Sequence, residues 1–240
     1  MLLTVVLVAL GLIAAVVAFT KDRIANALLC SAIKELTGLD TQIAHLRADL
    51  PRTALEIHGL QLHNPPGFPD EIMVDVPALD LDYRFGPLLR GQAHLEVVRL
   101  NLAQLVVVKR QDRRLNLHAI PVLAPRAPSP PATEHVGASA PPFRIDLLEL
   151  DIGTVIYKDY TRTPVNVHTF PLHVHERHVQ LTHPQTLITL LIVRALLKTT
   201  VAELAGFELP ALKAGLAEAL GTADAAVSEV EHRVEHLIGR

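Results

Sequence analysis

The sequence predicts an α+β fold: an N-terminal transmembrane helix, a long antiparallel curved β-sheet interrupted by a Pro-rich linker, and C-terminal helices. Three observations predict it. Residues Leu2 to Phe19 are almost unbroken apolar. From Thr53 onward apolar and polar side chains alternate with a period of two, the pattern of a half-buried strand, and helical spacing returns after His183. The expected divisions are a transmembrane anchor at 1–20, an amphipathic helix at 21–38 and a first part of the sheet at 39–120. A Pro/Ala-rich linker at 121–142, a second part of the sheet at 143–182 and a helical tail at 183–240 complete the chain.

The anchor is argued from length. Eighteen apolar residues at 1.5 Å each reach about 27 Å, close to a hydrocarbon core of roughly 30 Å. A cleaved signal peptide is the rival reading, because Val16-Val17-Ala18 offers small residues for cleavage. The run is longer than an ordinary signal core, however, and it continues directly into KDRIANALLCSAIKELTG. There Ile24, Leu28, Ile33 and Leu36 recur near helical spacing, with Lys21, Asp22, Lys34 and Glu35 on other faces. Lys21 and Arg23 follow the apolar run and none precedes it, a charge bias that points the rest of the chain toward the cytoplasm.

In the sheet, Leu55 and Ile57 share one phase and Leu60 and Leu62 the other, with the slip at Gly59 marking a β-bulge. Asn64-Pro65-Pro66-Gly67-Phe68 is a turn cluster. Ile72, Val74 and Val76 give way to Leu79, Leu81 and Tyr83 across Pro77, which a strand tolerates at an edge or bulge. A further long strand or pair of strands carries Leu95 and Val97, then Val98, Leu100 and Leu102, then Leu105 and Val107. The opposite faces carry Glu56, Asp75, Asp80, Asp82, Glu96, Arg99 and Gln104, as in an antiparallel sheet wet on one side. Seven prolines fall within residues 121–142, a spacer with no periodicity of its own, after which FRIDLLELDIGTVIYKDY resumes the sheet. The spacer is expected to interrupt one sheet. The apolar face either packs against the protein's own helices or lines a groove for acyl chains, with Leu60, Leu62, Val74, Val76, Leu79, Leu81, Leu95, Val97, Leu100 and Leu102 as its candidates; alternation alone leaves both open.

The order of these parts resembles the AsmA-like family of bacterial envelope proteins, as a short member. The resemblance covers roughly residues 1 to 175. It rests on the apolar helix and its amphipathic successor, on the strand Leu55 to Leu62 ending in the Asn64–Phe68 turn, and on ALDLDYRFGPLLRGQAHLEVVRLNLAQLVVVKR with its Leu-Leu-x-Gly turn. Asn116-Leu117 before the linker and the resumed strand after it complete the likeness. It implies a single-pass inner-membrane protein with the bulk of the chain in the periplasm, against the charge bias noted above. It also implies a β-rich groove associated with phospholipid and envelope homeostasis. The chain departs from long members in its length and its helical tail.

After His183-Pro184, TLITLLIVRALLKTTVAELAG reads as a helix whose apolar core, Leu187 to Leu197, is too short to cross a bilayer. It either covers the sheet or lies in a membrane interface. The last helix places Val227, Val230, Val234 and Leu237 on a narrow seam suited to one partner helix, so another protein subunit is an expected partner.

Chemistry is sparse. His173 and His175 lie two apart on a strand, and His232 and His236 lie four apart on a helix within a His-x-x-Glu-His pattern; these are the candidate metal pairs. Neither has an obvious third ligand, and both read as solvated imidazoles, so no metal and no cofactor is expected. With a net charge of −3 and no basic surplus, nucleic acid is set aside. No phosphate-binding loop or nucleophile elbow occurs. The expected role is non-catalytic: a membrane-anchored, lipid-binding envelope protein or, alternatively, a structural accessory subunit of a membrane complex.

Overall fold

The computed structural model describes residues 22–123 and 142–205. The apolar run, most of the linker and the final helix lie outside the described residues, and with them the seam Val227, Val230, Val234 and Leu237 and the pair His232 and His236. Among the described residues no helix is long and apolar enough to cross a membrane.

The described chain begins with helix α1 (22–37). Strands β1 (Thr41–Asp49), β2 (Ala54–His63) and β3 (Ile72–Tyr83) follow, then a short helix α2 (Phe85–Leu89) and the long strand β4 (Ala93–Lys109). Two 3₁₀ turns, Asn116–Ala119 and Pro121–Leu123, precede β5 (Phe143–Asp159) and β6 (Asn166–Leu181), and helices α3 (Pro184–Leu197) and α4 (Val201–Ala205) close the described chain. Among the described residues six strands form one sheet in sequence order, so the strands on either side of the linker belong together.

One expectation needs correction. The sheet is mixed, because β4 and β5 pair parallel while every other neighbour is antiparallel. Alternation assigns side chains to faces and carries no information on strand direction. The segment 110–142 is long enough to return the chain to the start of β4, as a parallel crossover requires, and Ala93 N–H donates to Pro142 O at 2.9 Å where it arrives.

The phase slips seen in sequence are aligned in space. Ala44, Gly59, Pro77, Ala103, Gly153 and His173 fall between paired positions on successive strands, a crease crossing the whole sheet. On either side of it the inward residues change parity, from Ile57 to Leu60, from Leu102 to Leu105 and from Ile152 to Val155. Two glycines are required there. Gly59 has φ +65°, and a Cβ on it would stand 2.9 Å from that of Ala44; a Cβ on Gly153 would stand 2.7 Å from Ala103 O. A second crease passes Glu96, Asp146 and Gln180, the last at φ +56°. Bulged lines of this kind bend strands and increase twist, and the sheet is accordingly curved.

Candidate functional site

The apolar face of the sheet has two unlike poles. At one, β2 ends, β3 begins and β4 and β5 finish. Here the chain leaving β4 turns back, bridging Lys109 to Leu115, and lays its 3₁₀ turns over the sheet. Leu115, Leu117, Ile120 and Leu123 are buried in one cluster with Leu60, Val76, Leu105, Val107, Val155 and Tyr157. Asn116, fully buried, fixes this cover. Its Oδ1 accepts from Val108 N–H at 2.9 Å, and its amide donates to Val106 O and to Asn64 Oδ1, both at 2.7 Å. Asn64 in turn donates to Asp70 O at 3.0 Å. Phe68 of the same turn lies beneath the Arg110 guanidinium, 5.6 Å from the ring centre.

The two short motifs that carried the family resemblance, Asn64–Phe68 and Asn116-Leu117, therefore meet in a polar clamp, with Asn64, Gly67 and Phe68 making its contacts. Gly67 adopts φ +90°, a conformation that favours glycine, and its carbonyl accepts from Arg110 at 3.3 Å. Their role is structural: they hold the plug that closes this pole. Burial pushes the Tyr157 hydroxyl up to about 12, aided by the nearby Asp159, and it donates to Leu204 O at 3.2 Å. A polar recess of about 300 Å³ lined by Lys109, Arg113, Tyr157, Asp159 and Arg162 opens here, away from the apolar candidates.

The other pole gathers the start of α1, the β1–β2 turn, α2 and the beginnings of β4 and β5. The inner side chains Leu46, Leu55, Leu79, Leu81, Leu95 and Phe143 touch the core cluster yet remain only half-buried. The connection from β3 to β4 runs through α2 without folding back, so nothing from it covers this floor; α2 itself buries no residue. Helix α3 takes the β5–β6 side. Leu190, Val193, Ala195 and Leu196 are buried, and Arg194 Nε stands 2.9 Å from Glu176 Oε2, which also meets His178 at 3.0 Å. Covering the sheet, one of the two roles open to this helix, is thus its observed packing. Near the mouth His94 and Asp146 are 2.8 Å apart. Burial would raise the Asp146 carboxyl, but hydrogen bonds from His94 and Arg144 prevail and hold it below its ordinary value.

The ten groove candidates divide accordingly. Leu60, Val76, Leu100 and Leu102 are core residues, Leu62 and Val74 are half-buried beside the plugged pole, and Leu79, Leu81 and Leu95 line the open one. Val97 does not belong with them. It pairs with Asp82 and Leu147, next to the inward Val98, and so lies on the outer face; the slip at Glu96 separates it from Leu95. His173 sits at φ +49° within the crease and His175 pairs with Asp151 on the outer face. Among the described residues no group of three His, Cys, Asp or Glu is placed to hold a metal. The residues that sequence reasoning missed are the buried Asn116 contacts and the floor residue Phe143; the apolar Phe143 opening a resumed strand was the available signal.

In comparison with known proteins, the family model described as AsmA family aligns with residues 1–176 of the 240. No curated protein matches the chain, and no solved structure does.

Proposed function

This chain belongs to the AsmA family, and from that premise we propose that it is a non-catalytic, single-pass membrane protein of the bacterial envelope that shelters phospholipid acyl chains on the open pole of its sheet. The observation that carries the reading is the half-buried apolar floor of Leu55, Leu79, Leu81, Leu95 and Phe143, beside the end of α1 that adjoins the apolar residues 2–19. Acyl chains are non-directional ligands, held in proportion to the apolar area withdrawn from water at about 25 cal/mol per Å². A floor of Leu and Phe without buried donors suits them.

Mass spectrometry of the detergent-extracted full chain tests this. Phospholipid is expected to co-purify in stoichiometric amount, and Leu81→Trp, which fills the floor, is expected to reduce it while leaving the circular dichroism spectrum unchanged. Extraction without bound lipid would remove the proposal and leave a tethered structural subunit, docking through the segment that carries Val227, Val230, Val234 and Leu237.

A further inference from the structure

We propose that the open pole also docks end-on against an anionic phospholipid bilayer, with Leu50, Phe85, Leu88 and Leu89 entering the interfacial layer and Arg52, Arg84 and Arg90 meeting headgroup phosphates. This rests on the membrane-anchored part of the reading above and not on the acyl-chain floor. Helix α2 has the sequence Phe-Gly-Pro-Leu-Leu and buries none of it; Leu89 is 73% exposed and Leu88 48%. An apolar turn that contributes nothing to the core is unfavourable in water and marks a surface made to be covered.

Three connections place one bilayer there. Tyr83 N–H donates to Thr53 O at 2.9 Å, which brings the turn bearing the exposed Leu50 beside the segment carrying α2. Ala48 N–H donates to Asp22 Oδ1 at 2.9 Å, so the first turn of α1 starts at this same pole. The eighteen apolar residues from Leu2 to Phe19 end three residues before Asp22. Ile24 and Leu28, four apart on α1, are exposed as well.

Charge agrees with the choice of lipid. The connections 49–53 and 84–92 carry Arg52, Arg84 and Arg90 against a single acid, Asp49. Arg84 pairs with Glu96 at 2.7 Å and Arg52 lies 3.8 Å from Asp49, whereas Arg90 has no ion pair among the described residues. Apolar tips flanked by arginine suit an interface where hydrocarbon begins just beneath anionic headgroups.

The chain has no tryptophan, so single reporters are free of background. Leu89→Trp reports the open pole and Val167→Trp, exposed at the start of β6, the plugged one. Each full-length variant is reconstituted into phosphatidylcholine–phosphatidylglycerol vesicles with brominated acyl chains. Leu89→Trp is expected to shift to the blue and to be quenched severalfold more than Val167→Trp, with most of that difference lost on adding Arg84→Glu and Arg90→Glu. Equal, weak quenching of both reporters in vesicle-bound protein overturns the docking surface and leaves the anchor standing. A blue shift without quenching indicates a protein contact and overturns it too. Failure of the chain to associate with vesicles overturns anchor and docking together, while co-purified lipid separately reports the floor.

Discussion

The plugged and open poles are built on the same six strands with the same alternation, yet one is core and the other a half-exposed floor. The difference comes from the connections. At the plugged pole the chain after β4 doubles back and brings four apolar side chains and one buried asparagine onto the sheet. At the open pole the β1–β2 and β3–β4 links are short and turn outward, with Leu50, Phe85 and Leu89 facing water. An apolar strand face thus stays half-exposed or becomes core according to whether the chain returns over it.

Truncation at matched positions sharpens this contrast most. Leu105→Ala, fully buried beneath the plug, is expected to cost about 2–5 kcal/mol. Leu81→Ala, on the half-buried floor, is expected to cost roughly 1 kcal/mol, the value of little more than one methylene. Urea unfolding of the solubilised full chain distinguishes them, and equal losses would mean that both poles are core.

The clamp comes next. Asn116→Ala strands the Val108 N–H and Val106 carbonyl, so a loss of about 1–3 kcal/mol is expected. Asn64→Ala removes only its own share of the network. If the clamp alone holds the plug, Asn116→Ala will also speed amide exchange at Leu117 and Ile120 while leaving β6 protected.

The smallest effect is electrostatic. The hydrogen bond from Arg110 holds the Asp112 carboxyl at about 2 against the usual 3.8, with lesser help from the Arg114 backbone. A depressed acid stabilises the fold above its unfolded value and ceases to do so as pH falls through the folded one. Asp112 is therefore expected to support the Arg110 side of the clamp from neutral pH down to about 4 and to release it between there and pH 2. A carboxyl titration by NMR measures this, and a midpoint near the usual value would detach Arg110 from the clamp.

Much of the architecture was legible because burial imposes a period. The slips at Gly59 and Pro77 could be read one strand at a time, and with Gly153 they prove to be one crease. What sequence could not supply was relation between strands. The parallel pairing of β4 with β5 leaves no mark on alternation, and Val97 continues the spacing of Leu95 although the bulge at Glu96 turns it outward. Asn64 and Asn116 were each visible as part of a motif, but a contact across fifty-two positions depends on the crossover that brings them together. The exposed leucines of α2 were read as part of a turn, since a turn's sequence does not say which side chains remain uncovered.

The parallel step between β4 and β5 also gives the molecule a direction. Because β5 starts beside β4, β6 runs back to the open pole and α3 sets out from it, so the described chain begins at one pole with Asp22 and ends at the other, where Leu204 meets Tyr157 and Lys109. Seventeen-residue strands separate those points by up to roughly 55 Å. Whatever residues 206–240 engage, they follow on from the pole opposite Asp22, so a partner held there is kept from the start of α1 by the height of the sheet.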